Sequence, residues 1–367
     1  MRAFFGLKDT FTPDLIHRLC QKIRPSTFNY SYICAIMDIF PTQYSTLSSR
    51  ALKDFLEQQY GFSQMKCRLL VHNVSDTYLL ENDTEQYIFK IYRDAHRKLD
   101  EIKAEVELLN ILKENGVSVS YPIKALDGEQ IQSFNAAEGT RYGILLSYAL
   151  GQPVYELNPQ QLETLGTEMA KFHNLASVIE LKHPRKTYTI ETTIKQPITV
   201  VKPAFEGMKE VYARLVQMAD QVSTQMEKLD LSNFSYGYCH FDFLPKNFHF
   251  QKNGELTFFD FDFAGQGYLI NDITSFYIHY FLECFHNKIS REEAEKSFAL
   301  FVEAYRKVRL LSDEELATMP YFGFGFWVFY LGFQYENFDD WSSIFFGPNY
   351  LKQRVALIEK WLEWFPD

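Results

Sequence analysis

The sequence predicts an α+β chain in two lobes, a small antiparallel sheet first and a mainly helical body after it. Three observations carry that reading. Short apolar runs with strand character are confined to the part before Tyr148. From Asn158 onward the apolar residues recur at helical spacing. A β-hairpin signal then interrupts the helical part, within YCHFDFLPKNFHFQKNGELTFFDFDFAGQGYLIND, residues 238–272. The chain has 367 residues, 46% of them hydrophobic and 17% aromatic, enough to fill the cores of two lobes.

In chain order, residues 1–36 have no clear period and read as an N-terminal extension. A first lobe spans 37–147 and a second 148–367. Ser45 to Tyr60 reads as a helix with Leu47, Ala51, Phe55 and Tyr60 as its stripe, ended by Gly61. Lys66–Leu70, Thr77–Glu81 and Gln86–Tyr92 read as strands, with a loop at His72 to Asp76. Glu101 to Asn115 is amphipathic, with Ile102, Val106, Leu109 and Leu112 inward and Gly116 as its stop. Ser118–Leu126 and Gln130–Phe134 read as two strands around an Asp127-Gly128 turn, and Tyr142–Tyr148 as another.

Asn158 then caps a helix opened by Pro159. Lys182 to Lys202 reads as a loop over the mouth of the site, and Pro203 to Leu229 as a long helix. Helices are expected again at Asp272–Phe285, at Ser290–Val308 and from Ser312. The last two are opened by the capping boxes Ser290-x-x-Glu293 and Ser312-x-x-Glu315. The longest apolar run, Tyr321 to Tyr335, is shorter than the roughly 20 residues of a membrane span and holds three glycines. It reads as a buried helix, followed by a last helix at Tyr350–Phe365.

Composition narrows the partners. A formal net charge of −10 argues against nucleic acid or an anionic membrane. Five scattered cysteines without a C-x-x-C pair read as reduced thiols. With no secretion-signal pattern at the N-terminus, the expected location is the cytoplasm.

The chemistry concentrates in residues 238–272. Asp242 and Asn247 stand in a D-x-x-x-x-N spacing just before the hairpin, whose turn is Lys252-Asn253-Gly254, the strongest short hairpin signal. The returning strand runs into Asp260-Phe261-Asp262. Folding the hairpin brings Asp260 back beside Asn247, so two hard oxygen ligands converge, which suits Mg²⁺ completed by phosphates and water. Asp242 is left beside them to take a proton from a hydroxyl. This is the layout of a phosphoryl-transfer site.

HFDFLPKN, FFDFDFAGQG and the following Asn271-Asp272 resemble the aminoglycoside phosphotransferase and choline kinase group of small-molecule kinases, which includes type II homoserine kinases. The resemblance spans roughly residues 45–365, with its specific motifs in this one stretch. It implies a two-lobed protein-kinase-like fold, with nucleotide binding in the first lobe and catalysis and acceptor binding in the second. It also implies ATP and Mg²⁺, and a small-molecule alcohol as acceptor. Asp242 would be the catalytic base, Asn247 and Asp260 the metal ligands, and Asp272 the aspartate that braces the catalytic loop through its backbone.

Lys90, in the strand YIFKIYR, would hold the α- and β-phosphates. Its alternative is a solvent-facing lysine, since Gln86, Ile88, Lys90 and Tyr92 share one face. Glu105 matches the family glutamate that pairs with this lysine, and Glu101 and Glu107 compete for the role. Asn73 and Ser75 are phosphate contacts or an ordinary polar turn, for the loop has no G-x-G-x-x-G. Chain order and the resemblance put the adenine against backbone groups of Ser147 to Ala149, where the lobes join. His240 packs or orients the catalytic loop. Asp262 either supports the metal from behind or faces the substrate. Lys246 either touches the γ-phosphate or points to solvent.

Two other functions compete. A protein kinase of the same fold would want a glycine-rich loop, an H-R-D arginine and an A-P-E segment, and this chain has none of them. A non-catalytic nucleotide-binding module would have lost one of Lys90, Asp242, Asn247 or Asp260, and all are present. For the acceptor, Glu336, Asp339 and Asp340, flanked by Trp327 and Trp341, form either an acidic aromatic wall for a cation or a solvated turn.

Overall fold

A computed structural model describes residues 42, 44–94, 96–338 and 346–365. The extension expected at 1–36 lies outside them, as do Asp339, Asp340 and Trp341. Contacts divide the chain into two compact units, the larger comprising 46–135 and 140–367. The described members of the smaller are Thr42, Tyr44, Ser45 and the turn 136–139, where the Ser45 N–H donates to Glu138 at 3.2 Å.

The larger unit begins with helix α1 (Ser49–Tyr60), capped by Ser48 and ended by Gly61 in the left-handed conformation. Its fully buried residues are Leu52, Leu56 and Tyr60; of the expected stripe, Tyr60 is buried, Leu47 and Phe55 pack half-buried against the same core, and Ala51 faces solvent. A sheet follows, of strands β1 (Lys66–His72), β2 (Ser75–Glu81), β3 (Gln86–Tyr92), β4 (Ile131–Ala136) and β5 (Gly139–Ser147), in the order β1-β2-β3-β5-β4. β1, β2, β3 and β5 pair antiparallel in turn.

The expected loop at His72–Asp76 shrinks to Asn73-Val74, because Asp76 is a fully buried strand residue. Arg141 donates to it at 2.8 Å and His72 lies 2.6 Å away. The strand expected at 118–126 is largely irregular. Pro122 removes a ladder donor, and the segment keeps isolated bridges such as Pro122 to Leu146 and Val119 to Phe258.

The sheet's two faces go to different cores. Phe89, Ile91, Tyr78 and Leu145 pack under α1. Tyr92 and Ile144 join α2 (Leu99–Glu114), whose Ile102, Leu109 and Leu112 are fully buried, and this core continues into the helical lobe.

That lobe is built of α3 (Pro159–Ala176), α4 (Gln196–Val201), α5 (Lys209–Met226), α6 (Ile270–Phe285), α7 (Arg291–Arg306), α8 (Asp313–Ala317), α9 (Met319–Phe338) and α10 (Pro348–Glu363). Asn158, Ser290 and Ser312 cap α3, α7 and α8 with reciprocal capping boxes, each cap contributing about 1 kcal/mol. α5 starts at Lys209, later than Pro203, because Gly207 at φ +80° breaks the run. α9 is apolar all round and buried. At Gly323 the Trp361 ring of α10 comes so close that an added Cβ would stand 2.1 Å from it. Among the described residues no helix is long and apolar enough to cross a membrane.

Residues 182–202 do not arch over the mouth of the site. Tyr188, Ile194, Ile198 and Val201 are buried in the core, and the segment is a strut beneath the site. Its apolar residues at 194, 198 and 201 recur at helical spacing, and one turn with a π-type ladder (Glu191–Lys195) leads into α4.

Candidate active site

The hairpin forms from β6 (Phe248–Phe250) and β7 (Leu256–Phe258), with Gly254 at φ +88° in the turn. The Gly254 N–H donates to the Gln251 carbonyl at 3.0 Å, and the Phe259 N–H to the Asn247 carbonyl at 3.0 Å. That second bond stands Asp260 beside Asn247. The hairpin is tied to the lobe junction through paired bonds between Gln152 and Phe250 (3.1 and 3.0 Å). Gly151 (φ +100°) permits this approach, since a Cβ there would lie 2.2 Å from the Phe250 carbonyl oxygen.

Asp242 is 2% exposed. Its Oδ2 is held twice, by the Asn247 Nδ2 donor at 2.9 Å and the Lys246 ammonium at 2.8 Å. Asn247 Nδ2 also donates to the Asp242 carbonyl at 2.8 Å, so its Oδ1 is the atom left for a cation. Asp242 Oδ1 is buried without a hydrogen-bond partner. Tyr330 of α9 faces this carboxylate. Burial, and after it the charge of Asp242, push the Tyr330 phenol well above its ordinary pKa.

Asp272 lies in the first turn of α6 beneath the loop. It accepts the His240 N–H (2.8 Å) and the Phe241 N–H (2.7 Å), and His173 Nε2 lies 3.0 Å from it. Burial lowers the His173 pKa despite its bond to Asp272, and Tyr305 holds the other ring nitrogen at 2.7 Å. Phe241 sits at φ +69°, costly for a bulky residue, about 1–3 kcal/mol. Those two bonds and a parallel stack on Tyr188 (centroids 3.7 Å apart) hold it there. His240 Nε2 bonds to the Phe259 carbonyl at 2.9 Å, so it fastens the loop that carries Asp242 to the hairpin.

Lys90 faces the cleft. Its side chain is 7% exposed, and its Nζ lies 3.1 Å from Asp260 Oδ1, 3.5 Å from Asp262 Oδ1 and 3.8 Å from Glu105 Oε1. Burial pulls its pKa down, but the carboxylates of Asp262, Glu105 and Asp260 overcome this and hold the ammonium above its ordinary value. Glu105 also takes the Tyr92 hydroxyl at 3.0 Å and meets Arg185 at 3.7 Å. The competing glutamates are used elsewhere: Glu101 accepts the Lys98 N–H and Glu107 the Lys182 N–H, both at 3.0 Å.

Asp262 is packed among basic side chains: His96 at 2.6 Å, Arg97 at 3.3 Å and Lys90. Burial alone would raise its pKa. Arg97, Lys90 and His96 outweigh that and hold it well below the carboxylate range. Arg185 donates to the carbonyls of Phe261, Asp262 and Ala264 at 3.0, 2.7 and 2.6 Å. Asp262 therefore anchors the turn, while Asp260, at φ +61° with its side chain 48% exposed, projects into the cleft.

Lys90, Asn73, Ser75, Ala149, Asp242 and Asp260 all line one cavity of about 550 Å³. Ser147 is turned away from it. Its N–H donates to Tyr121, its Oγ accepts the Tyr121 N–H and its carbonyl accepts the Ser120 hydroxyl, so Tyr148 and Ala149 are the cleft-facing residues of the junction. Asn73 spends its Oδ1 on the Val74 N–H at 2.9 Å. His96, Arg97, Arg185 and Tyr330 carry no motif in the sequence. A buried arginine in an otherwise polar loop gives no signal until the fold supplies its partners. Among the described residues no three His, Cys, Asp or Glu side chains cluster to hold a metal. The Asn247 and Asp260 oxygens are a two-ligand set, which fits an ion that takes the rest of its shell from phosphate and water.

Comparison with known proteins shows the family and the fold. The family model for the phosphotransferase enzyme family (APH) matches residues 66–311. The amicoumacin kinase of Bacillus subtilis is 29% identical over 59% of this chain and 63% of its own length. A homoserine kinase of Rhizobium etli is 23% identical over 76% of this chain and 82% of its own. The amicoumacin kinase hAmiN, solved with AMP-PNP, Ca²⁺ and Ami, superposes with a TM-score of 0.68 over 87% of this chain and 95% of that one. At 21% identity it shares the fold.

Proposed function

This chain belongs to the phosphotransferase enzyme family, and we propose that it moves the γ-phosphoryl group of ATP, with Mg²⁺, to the hydroxyl of a small molecule. One observation carries the reading: Lys90, Asp242, Asn247 and Asp260, drawn from three separate parts of the chain, converge on a single cleft. The kinases named above, for amicoumacin and homoserine, support the reaction class and a small acceptor. The nucleotide and divalent ion in the hAmiN structure support a nucleotide donor used with a metal.

Catalysis in such a site is mostly positioning and charge neutralisation. Lys90, fixed by Glu105, holds the α- and β-phosphates. The Asn247 Oδ1 and the Asp260 carboxylate hold Mg²⁺, which neutralises charge on the phosphates when bound. Asp242 Oδ2 is tied down by Asn247 and Lys246, so Oδ1 is the oxygen that accepts the acceptor's proton. The acceptor oxygen forms a bond to the γ-phosphorus as the bond to the β-bridging oxygen breaks, and ADP leaves.

The test is ADP release with MgATP across a panel of small alcohols, for wild type and Asp242→Ala. The variant is expected to lose about 10²- to 10⁴-fold in kcat while keeping its KM for ATP. A variant as fast as wild type on the best acceptor would remove Asp242 from the role.

A further inference from the structure

The acceptor's chemistry can be read from the wall opposite the nucleotide. A second cavity, of about 140 Å³, adjoins the main cleft and shares Tyr330 and Gln334 with it. Leu244, Ile278 and Leu282 supply apolar walls. Tyr330, which faces Asp242, lines both cavities and so joins this one to the proposed base.

The polar equipment of this cavity donates hydrogen bonds. Arg354 of α10 lines it, with its guanidinium over the rings of Trp327 (5.4 Å) and Tyr350 (5.3 Å). One N–H reaches the Tyr350 hydroxyl at 3.1 Å, and that hydroxyl donates to Gln334 Oε1 at 2.7 Å, which turns the Gln334 amide N–H group to other partners. Among the described residues no carboxylate pairs with Arg354. Trp327, another wall of the cavity, has a buried indole N–H with no partner. A buried indole N–H beside a half-buried guanidinium that no described carboxylate pairs calls for an acceptor-rich anion, and a planar carboxylate matches the guanidinium fork.

An ammonium would find the reverse. No described residue lining this cavity is acidic, and the Trp327 ring that could hold a cation already carries Arg354. Glu336, the described member of the acidic wall suggested by the sequence, lines a different hollow with Lys186.

We infer that the acceptor is a short hydroxy acid, its carboxylate bound by Arg354 and its hydroxyl presented past Tyr330 to Asp242. The inference rests on the phosphotransferase reading for its reaction but not for its binding site.

Two measurements test it. Coupled ADP release would compare hydroxy acids, amino alcohols and neutral diols of matched carbon number. The hydroxy acids are expected to lead in kcat/KM by about ten-fold or more. Arg354→Gln should raise their KM by about the same factor, with kcat and the KM for ATP nearly unchanged, and Arg354→Lys should fall between. Calorimetry on the Asp242→Asn protein with MgADP would measure binding of the same compounds without turnover. Hydroxy acids are expected to bind, and the added Arg354→Gln change to abolish it. Amino alcohols preferred in either assay, equal losses on every acceptor in Arg354→Gln, or no hydroxy acid bound to Asp242→Asn would each overturn the inference. Hydroxy acids that bind through Arg354 to a protein that phosphorylates nothing would instead sink the kinase reading and leave the anion site standing.

Discussion

The two halves of the cleft are built on different physical plans. On the nucleotide side charges are stacked several deep. Lys90 meets three carboxylates, and Asp262 meets Lys90, His96 and Arg97. Glu105 is shared with Arg185 and Tyr92. On the side proposed for the acceptor the walls are aromatic and aliphatic, and the described polar groups are few: Tyr330, Gln334, Arg354 and the Trp327 N–H. A buried charge network holds its geometry because each member compensates for the desolvation of the next. An apolar wall with isolated donors leaves its hydrogen bonds to be completed by whatever binds. The first plan suits a fixed polyphosphate, and the second allows specificity to vary.

This contrast can be pressed. The largest effect should come from Asp262→Asn, which leaves Lys90 and Arg97 facing a neutral amide. Breaking buried pairs of this kind costs about 3–5 kcal/mol, measured by denaturant unfolding. The pH dependence has a definite sign. Asp262 is held below its unfolded pKa, so its stabilisation is complete above the ordinary carboxylate value and is lost as pH falls toward the folded one. The gap between wild type and variant should therefore narrow progressively as pH falls below about 4. A gap constant across that range would mean that Asp262 is not the paired ion.

Asp272→Ala should rank next. It strands the N–H groups of His240 and Phe241 and frees Phe241 from its left-handed conformation, at about 1–3 kcal/mol per buried donor. The expected result is a lower Tm together with a loss of kcat, since Asp242 follows directly. A fall in Tm with kcat intact would show that Asp272 supports the helix and not the loop.

The smallest effect belongs to the acceptor half. Tyr330→Phe removes one hydroxyl beside Asp242 and should cost about 0.5–1.5 kcal/mol in kcat/KM for the acceptor, with ATP affinity and Tm unchanged. Equal losses for ATP and acceptor would break the division between the halves.

How much of this could be seen beforehand follows the same division. The hairpin turn at Asn253-Gly254, the Asp242-x-x-x-x-Asn247 spacing and the caps at Asn158, Ser290 and Ser312 were all legible, and they fold as expected. In the expected stripe of α1, Tyr60, Leu47 and Phe55 do meet the core but Ala51 faces solvent while Leu52 and Leu56 are buried, and the strand expected at 118–126 is largely irregular. For α1, the choice of buried face depends on what the helix meets. At 118–126, Pro122 outweighs the alternation around it. Ser147 looked available as a junction residue until Ser120 and Tyr121 occupied its backbone and hydroxyl.

The sequence by itself determined the local geometry of the site, because turns, caps and the reach between Asp242 and Asn247 depend on backbone sterics over a few residues. Tertiary structure decided the rest: which glutamate meets Lys90, that Asp262 is an anchor and Asp260 projects, that Arg185 lies beneath both, and that Arg354 lines the smaller cavity beside the cleft. Those pairs are joined across long stretches of chain. A buried charge takes whatever partner the closed fold delivers, and no short pattern of residues encodes that meeting.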